Sequence, residues 1–216
     1  MGIYEKYLLP RLTKWTMSCK ILRAERGKCL AGARGRVLEV GFGNGLNLGH
    51  YPPEVERVVG IDPSGEAEKL ARKAIRASPF PVEVHTGIAE ALPFAEASFD
   101  TVVITWTLCT IPDPESALRE MARVLSPGGR FHFVEHGLSG DPGVARWQHR
   151  LNGIQKFIAG GCHLNRDIAT LIAGSGFAME ELQTYYVKGP KTHTYLYRGI
   201  ATASAGQTAP GGTAHG

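Results

Sequence analysis

The chain has 216 residues, enough for one domain with a substantial core, and its 43% hydrophobic and 20% charged residues are ordinary for a soluble globular protein. The net charge of +4 is mild, and the sequence contains neither a run of like charges nor zinc-finger spacing, so we expect no nucleic-acid partner. No apolar stretch reaches the roughly 18 residues of a membrane helix, and no signal-peptide cleavage pattern follows the N-terminus, which predicts no membrane span. The cysteines are scattered without a Cys-x-x-Cys pair, which indicates reduced thiols in a cytoplasmic protein: Cys19, Cys29, Cys109 and Cys162.

The N-terminal segment, residues 3 to about 27, carries hydrophobic side chains at roughly helical spacing, with one break at Pro10. One interpretation is an amphipathic helix packed on the edge of the domain. The other is a lid, in which Tyr4, Tyr7 or Trp15 covers a binding site. Both can hold for the same segment. We therefore divide the chain into an N-terminal helical lid (residues 1–30), a main domain (31–202) and a tail (203–216) that is too poor in apolar groups to pack.

A glycine-rich turn follows the first predicted strand, residues 36–40, which is short and rich in buried-type side chains. Gly41, Gly43 and Gly45 occupy alternate positions after it. Glycine accepts backbone angles that other residues avoid and lets a ligand approach the main chain closely. We expect a helix downstream of the turn. A strand, a glycine turn and a helix together are the start of a nucleotide-binding α/β unit.

The identity of the nucleotide follows from three residues around this turn. A dinucleotide motif needs a third small residue where Leu46 stands, and the Glu39 carboxylate would repel a pyrophosphate. Glu39 suits the ammonium group of an amino acid instead. Asp62 ends the next predicted strand, where a carboxylate can accept hydrogen bonds from both hydroxyls of a ribose. A cofactor with a ribose, an ammonium group and no phosphates is S-adenosylmethionine.

The remaining elements alternate between strand and helix patterns. After Pro63, which fixes a turn, we predict a helix over 66–77, strands at Val82–Thr86 and Phe99–Thr105, a helix over 114–125, a turn at 126–129 and a strand at 130–135. Further along we predict a helix over 144–158, a second helix that ends at residue 173, and an antiparallel strand pair at 178–187 and 192–201. Ligands of such sheets bind at the carboxyl ends of the strands. Thr105 and Trp106 are therefore expected to face the cofactor or its acceptor. The helix over 144–158 is expected to be amphipathic and to cap the acceptor pocket with its apolar side chains, Val144, Trp147, Leu151, Ile154, Phe157 and Ile158.

These motifs, in this order, resemble the class I S-adenosylmethionine-dependent methyltransferases with a type 11 methyltransferase domain. The resemblance spans residues 37 to about 135 and is carried by Val-Leu-Glu-Val-Gly-Phe-Gly-Asn-Gly, Gly-Ile-Asp-Pro and Ser-Pro-Gly-Gly-Arg-Phe. It implies a Rossmann-like three-layer α/β sandwich whose seven-stranded, mostly parallel sheet has an antiparallel last strand. It also implies S-adenosylmethionine as cofactor and S-adenosylhomocysteine as product. The residues expected to bind the cofactor are Glu39, Gly41, Gly43, Asp62, Pro63, Ile88, Ala89, Thr105 and Trp106.

One position departs from the family pattern. Many relatives have Asp, which receives the adenine amino group, where this chain has Ile88. Adenine recognition is therefore expected to use main-chain groups near Ile88 and Ala89 together with apolar packing.

Segments on both sides of residue 136 narrow the resemblance to the methyltransferase-like thiol S-methyltransferases over roughly residues 35–200. These segments are Tyr-Pro-Pro at 51–53, Leu-Cys at 108–109, the segment from Arg119-Glu120 to Glu135-His136, and Gly-Cys-x-Leu-x-Arg at 161–166. Animal relatives carry an N-terminal membrane anchor that this sequence lacks, which implies a soluble version. The partner is then a small-molecule methyl acceptor. A thiol must be deprotonated to attack, so the catalytic candidates are His136 and His163.

Alternative interpretations of these residues stay open. His136 could be a strand-end residue bonded to a loop, and His163 a turn residue. Direct methyl transfer needs no covalent intermediate, so Cys109 and Cys162 are expected to pack or to line the pocket. The histidines show no ligand spacing, and we predict no metal site. The acceptor could also be an oxygen, nitrogen or carbon nucleophile, such as a quinone precursor or a lipid headgroup, or the protein could be a non-catalytic sensor of the cofactor.

Overall fold

The computed structural model describes residues 20–204. The predicted lid residues Tyr4, Tyr7 and Trp15 and residues 205–216 of the predicted tail lie outside this range, whereas Ala203, predicted to begin the tail, is the last residue of a strand. The elements in chain order are α1 Lys20–Leu30, β1 Gly35–Val40, β2 Val55–Asp62, α2 Ala67–Ala77, β3 Val82–Thr86, β4 Phe99–Thr105, α3 Pro114–Val124, β5 Leu125–His136, α4 Pro142–Ile158, α5 Ile168–Gly174, β6 Phe177–Tyr186, α6 Lys191–Thr194 and β7 Tyr195–Ala203. Among residues 20–204, no helix combines the length and apolar character that a membrane crossing needs.

The strands form one seven-stranded sheet in the order β3-β2-β1-β4-β5-β7-β6. Neighbouring strands run parallel from β3 to β5, whereas β7, the last strand of the chain, is antiparallel to both β5 and β6. The predicted fold class is confirmed. The strand order changes direction between β1 and β4, and in an open α/β sheet the crevice at that point takes the ligand.

Two hydrophobic clusters pack on opposite faces of the sheet. Side chains alternate along β4: Val102 and Ile104 enter one cluster and Val103 enters the other. The first cluster includes residues of α3 and α5, such as Met121 and Ile168, and the second includes Ala71 of α2. Because both faces are covered, the loops at the carboxyl edge are the part of the sheet available for chemistry.

Strands β3 and β4 begin and end at the predicted residues, but the connection after the glycine turn does not follow the prediction. The described residues 41–54 contain a 3-10 turn at Leu48–His50 and no α-helix. Gly41, Gly43 and Gly45 all adopt positive φ. This left-handed conformation cannot be part of a right-handed helix, so the chain enters β2 after a compact loop.

The turn predicted at residues 126–129 lies within β5. Leu125 pairs with Phe99, and the next pairing joins Arg130 to Thr101, so the intervening residues form an irregularity in the strand. Gly128 has φ of 75° there. The glycines were a correct sign of unusual backbone, but the pairing with β4 continues on both sides of them.

Helix α4 packs through a different side from the predicted one. The predicted inner side included Trp147, Ile154 and Phe157, yet Trp147 is 55% exposed and Phe157 is 87% exposed. Gln148 is the buried residue of this helix. Its Nε2 donates to the carbonyl oxygens of Gly137 and Thr192, and its Oε1 accepts from the Ser139 amide. Hydrogen bonds to the loop after β5 therefore set the orientation of α4, and its apolar side chains do not cover the carboxyl edge as predicted.

Candidate active site

The three glycines of the turn have different roles. A Cβ on Gly41 would lie 2.2 Å from Thr107 Oγ1, so glycine there allows the loop after β4 to pack against the turn. A Cβ on Gly45 would meet Ala71 of α2 at 3.1 Å. At Gly43 the nearest atom to a Cβ would be the Gly41 carbonyl oxygen, 4.0 Å away, so space lies above its main chain. The turn is thus tied to the protein at both ends and open to a ligand in the middle.

Asp62 lies at the tip of β2 beside this open position. Its Oδ2 accepts from the Gly43 amide at 2.8 Å and its Oδ1 from the Ser64 amide at 2.9 Å. Each carboxylate oxygen can accept a further hydrogen bond. The side chain is half-buried and oriented by two amides, as an acceptor for a pair of hydroxyls needs to be.

The segment after β3 supplies an apolar surface next to Asp62. The Gly87 amide donates to the Asp62 carbonyl oxygen at 3.0 Å, which places Ile88 beside the tip of β2. Ile88 is 52% exposed, whereas Ala89 is buried. An exposed isoleucine flanked by main-chain groups suits a flat heterocycle. Pro63, the remaining candidate on this side, is exposed in the turn after Asp62.

Glu39 lies below the glycine turn and is 2% exposed. The Tyr51 hydroxyl donates to its Oε2 at 2.7 Å, and Asn47 Nδ2 donates to its Oε1 at 3.0 Å. Burial raises the pKa of the Glu39 carboxyl to about 7, although the Tyr51 hydrogen bond and the charge of Arg26 act in the opposite direction. The sequence pattern predicted the acid but not the two hydrogen-bond donors.

Arg26 is a residue of this site that the sequence analysis missed. Its Nη1 donates to Asn47 Oδ1 at 2.7 Å and to Thr105 Oγ1 at 2.9 Å. Its guanidinium lies 4.7 Å from the ring centroid of Trp106. Among residues 20–204 it forms no ion pair within 4 Å, so a buried cation faces neutral partners. In the sequence, Arg26 lies four residues after Leu22 and four before Leu30, so all three share one side of a helix. This spacing was the one sequence feature that could have indicated that Arg26 faces the protein interior.

Trp106 has φ of 48°, a conformation rare for a side chain of this size. Its amide donates to the Val134 carbonyl oxygen at 2.9 Å. Trp106 directly follows Thr105 at the carboxyl end of β4, and its ring packs against the Arg26 guanidinium. Backbone strain of this kind concentrates at functional sites.

The loop after β4 is held by Glu135, which is fully buried at the end of β5. Its carboxylate accepts from the amides of Thr107 at 2.7 Å, Leu108 at 3.0 Å and Cys109 at 3.4 Å. Arg166 Nη1 donates to the Leu108 carbonyl oxygen on the opposite side. These contacts make the loop after β4, the end of β5 and the turn at 160–166 one hydrogen-bonded unit.

Cys109, His136 and Cys162, which are far apart in the sequence, lie close together in this unit. His136 Nε2 lies 3.0 Å from Cys162 Sγ, and Cys162 Sγ lies 3.5 Å from Cys109 Sγ. The hydrogen bond to Cys109 and burial raise the pKa of the Cys162 thiol. His163 joins the same region through its main chain, because its amide donates to the Cys109 carbonyl oxygen at 2.9 Å. The structure thus groups His136, and not the imidazole of His163, with the two cysteines.

Comparisons with known proteins agree with this architecture. The family described as "Methyltransferase domain" matches residues 38–133. The chain is 34% identical to human thiol S-methyltransferase TMT1A over 180 residues, which are 77% of this chain and 72% of that protein. The chain belongs to the S-adenosylmethionine-dependent methyltransferases.

Two further proteins similar to this chain have names that give nitrogen, and not sulfur, as the methylated atom. The methyltransferase is 42% identical to phosphatidylethanolamine N-methyltransferase of Cereibacter sphaeroides, but over 104 residues, 47% of this chain and 51% of that protein. The fold is similar to that of the N-methyltransferase NodS of Bradyrhizobium japonicum in complex with S-adenosylhomocysteine, with a TM-score of 0.67, 18% identity and coverage of 88% and 91% of the two chains. The enzyme is therefore a methyltransferase of a small molecule, with S-adenosylmethionine as its methyl donor.

The geometry of the crevice fits this cofactor. Space lies above Gly43, Asp62 retains acceptor capacity beside it, and Ile88 offers an exposed apolar surface after β3. The assignment of individual residues to parts of the cofactor remains a prediction, which the following proposal uses.

Proposed function

We propose that this methyltransferase transfers the methyl group of S-adenosylmethionine to the sulfur of a small thiol, giving a methyl thioether and S-adenosylhomocysteine. The observation that carries the proposal is the extent of the similarity to the human thiol S-methyltransferase. That similarity covers 180 residues, whereas the general methyltransferase domain matches residues 38–133. The similarity to the thiol S-methyltransferase therefore extends well beyond residues 38–133, into the part of the chain that we expect to select the acceptor.

In this proposal, different residues of the crevice bind different parts of the cofactor. Asp62 accepts the ribose hydroxyls, and Ile88 and Ala89 pack against adenine. The amino-acid end of the cofactor carries both charges, so Glu39 faces its ammonium group and Arg26 its carboxylate. When bound, the cofactor supplies a methyl carbon that is already electrophilic, and alignment of the acceptor is the main task left to the protein.

The acceptor side lies next to the methionine end of this crevice. Thr107 packs against Gly41, and Cys109 follows two residues later, beside His136 and the turn at 160–166. A thiol reacts as its thiolate. The cationic guanidinium of Arg166, which bonds to the Leu108 carbonyl oxygen, favours an anion in this region. His136 lies at the same place, and a role for it as base, predicted from the sequence, remains part of the proposal.

The test is a set of acceptors with one carbon skeleton and different nucleophilic atoms. Purified protein is incubated with S-adenosylmethionine and benzenethiol, phenol or aniline, and the methylated product and S-adenosylhomocysteine are quantified by mass spectrometry. We expect methyl phenyl sulfide at a rate at least about tenfold above either alternative product. Sulfide and small alkyl thiols extend the series to smaller acceptors.

Other results would assign a different function. Methylation of phenol or aniline in preference to benzenethiol would replace the thiol by an oxygen or nitrogen acceptor, and the search would move to quinone precursors and lipid headgroups. Cofactor binding measured by calorimetry, without turnover of any acceptor, would indicate a sensor of the cofactor.

A further inference from the structure

Cys109, His136 and Cys162, here called the Cys-His-Cys cluster, present metal-ligand atoms to one point. One such atom from each residue lies within 4.8 Å of the other two. The individual distances are 3.0 Å between His136 Nε2 and Cys162 Sγ and 3.5 Å between the two sulfur atoms. The residues come from three different loops or strand ends, so spacing along the sequence gave no sign of this group.

These distances are close to those of a zinc site. Zinc lies about 2.3 Å from cysteine sulfur and about 2.0–2.1 Å from histidine nitrogen in tetrahedral geometry, which separates ligand atoms by about 3.5–3.8 Å. The shortest side, 3.0 Å between His136 Nε2 and Cys162 Sγ, would have to open by about 0.5 Å. Three protein ligands leave the fourth tetrahedral position to water or substrate, as in catalytic zinc sites. Two sulfurs and one nitrogen suit zinc far better than magnesium or calcium, which prefer oxygen.

The ligand-bearing backbone is held rigidly. The Cys109 amide donates to Glu135, and its carbonyl oxygen accepts from the His163 amide. The Cys162 amide donates to the Ala159 carbonyl oxygen at 3.2 Å. His136 is the last residue of β5 and pairs with Leu196 of β7. Preformed positions of this kind reduce the free energy that a binding site would otherwise spend on ordering its ligands.

The imidazole of His136 is not accounted for by protein contacts alone. Its Nδ1 is buried and has no hydrogen-bond partner among the described residues. A buried polar atom without a partner costs free energy, so a purely structural histidine would be expected to satisfy both nitrogens. Zinc would bind Nε2, so Nδ1 would carry the proton and would still lack a partner; the orphaned atom sets His136 apart from a structural histidine but does not identify the metal.

We propose that Cys109, His136 and Cys162 bind a zinc ion, and that its open position takes the sulfur of the acceptor thiol. The second part rests on the proposed function; the first does not. On metal binding, the two cysteine thiols release their protons to solvent and keep the electron pairs that bind zinc. The acceptor thiol then displaces a zinc-bound water, forms a zinc–sulfur bond and releases its proton to solvent. No oxidant or reductant takes part.

The location agrees with this role. The loop that carries Cys109 also carries Thr107, which packs against Gly41 of the glycine turn. A thiolate held at the cluster would therefore lie on the methionine side of the cofactor crevice. Zinc would also make the deprotonated sulfur available at neutral pH, so His136 would act as a metal ligand in place of the base role considered above.

The first experiment measures metal content. The full-length protein is purified under reducing conditions with zinc, dialysed and analysed by mass spectrometry of the elements. We expect about one zinc ion per chain, and at least about tenfold less in Cys109→Ser and in Cys162→Ser. The matched control is Cys29→Ser, because Cys29 is buried in α1 outside the cluster. Circular dichroism and thermal melting check that each variant is folded.

A second measurement reads the site without catalysis. Cobalt replaces zinc, and a tetrahedral site with two thiolates gives strong sulfur-to-cobalt absorption in the near ultraviolet. We expect this absorption in the wild type and in Cys29→Ser, and we expect benzenethiol to change it in the absence of S-adenosylmethionine. Phenol is the matched control and should leave the spectrum unchanged.

The outcomes separate the two proposals. A folded wild-type protein with reduced cysteines that binds neither zinc nor cobalt overturns the metal site, even when thiols are methylated. A cobalt spectrum that benzenethiol leaves unchanged overturns coordination of the acceptor. Metal binding and a thiol-dependent spectrum, without formation of any methyl thioether, would support the site and contradict the proposed methyl transfer to thiols.

Discussion

Asp62 contributes both to the shape of the glycine turn and to the proposed binding of the ribose. Its replacement by alanine removes the acceptor for the Gly43 amide and for two ribose hydroxyls. Hydrogen bonds to a charged group contribute about 1.5–3 kcal/mol each. We therefore expect Asp62→Ala to weaken S-adenosylmethionine binding at least about a hundredfold in isothermal calorimetry, and Asp62→Asn, which keeps one acceptor oxygen, to weaken it less.

The control for Asp62 is Glu83→Ala, since the Glu83 side chain is an exposed carboxylate on the neighbouring strand β3. It should bind the cofactor as the wild type does. Both proteins should keep the circular dichroism spectrum of the wild type. An unchanged affinity in a folded Asp62→Ala protein would contradict the assignment of the ribose to β2.

Glu39 makes stability depend on pH in a predictable direction. Its folded-state pKa of about 7 lies above the ordinary value of 4.5, because burial opposes ionisation more than Tyr51 and Arg26 favour it, and Asp62 adds repulsion. The unfolded chain therefore loses this proton first. Stability from this group is fully present below pH 4.5 and is lost as the pH rises to about 7, a change of about 3 kcal/mol.

The measurement is the free energy of unfolding of the cofactor-free protein in urea between pH 5 and 8, compared with Glu39→Gln. The wild type should lose stability across the lower part of this range, and the variant should show a flatter profile because it has no carboxyl to ionise at this position. Parallel profiles of the two proteins would show that Glu39 is not the group responsible.

Site residues could be predicted where the signal lay within one short segment of the sequence. Glu39, the glycines and Asp62 were recognisable because strand ends and glycine spacing are local patterns. Arg26 meets Thr105 at a separation of 79 residues, and Cys162 meets Cys109 at a separation of 53. Such contacts depend on the completed sheet, and a residue's own neighbours in sequence do not encode them.

At the level of elements, the orientation of helix α4 can depend on its hydrogen bonds or on its apolar side chains, and two substitutions distinguish these contacts. Gln148 makes three hydrogen bonds, two of them buried, whereas Phe157 is 87% exposed. Gln148→Ala leaves the Ser139 amide and two carbonyl oxygens without partners, and we expect a loss of about 2–4 kcal/mol of unfolding free energy. Phe157→Ala on the same helix should change it by about 0.5 kcal/mol or less.

Chemical denaturation of the two variants decides between the two sides of the helix. If Phe157→Ala destabilised the protein more than Gln148→Ala, the apolar side of α4 would be the packed one, as the hydrophobic periodicity had predicted. Matched circular dichroism spectra would confirm that the comparison concerns two folded proteins.

The elements were predictable to different extents for physical reasons. Strands Val82–Thr86 and Phe99–Thr105 are bounded by turn residues and match their predicted limits. The prediction of a helix after the glycine turn was wrong because three glycines there take positive φ. Glycine permits this conformation, but the presence of a glycine does not require it. Periodicity predicted that α4 is amphipathic, but the hydrogen bonds of the buried Gln148 determine which side of α4 faces the protein interior.

In the proposed function, the methyl donor and the acceptor bind at one edge of one sheet. The cofactor crevice uses the tips of β1, β2 and β4, and the acceptor side uses the loop after β4 and the tip of β5. Gly41 and Thr107 are the point where the two parts touch. Since β1 and β4 are adjacent strands, the fold itself fixes the relative position of the two substrates, which is what alignment for methyl transfer requires.

Ligand binding to the crevice should therefore stabilise the entire domain. S-adenosylhomocysteine at a hundred times its Kd raises the free energy of unfolding by about 2.7 kcal/mol, which corresponds to a Tm increase of about 5–11 °C for a domain of this size. NAD is the matched control, because it shares the adenosine but adds a pyrophosphate. Leu46 stands where a dinucleotide site needs a small residue, and Glu39 lies below the turn. In differential scanning fluorimetry we expect NAD at the same concentration to leave Tm unchanged; an equal shift with both ligands would mean that the turn does not discriminate against the pyrophosphate.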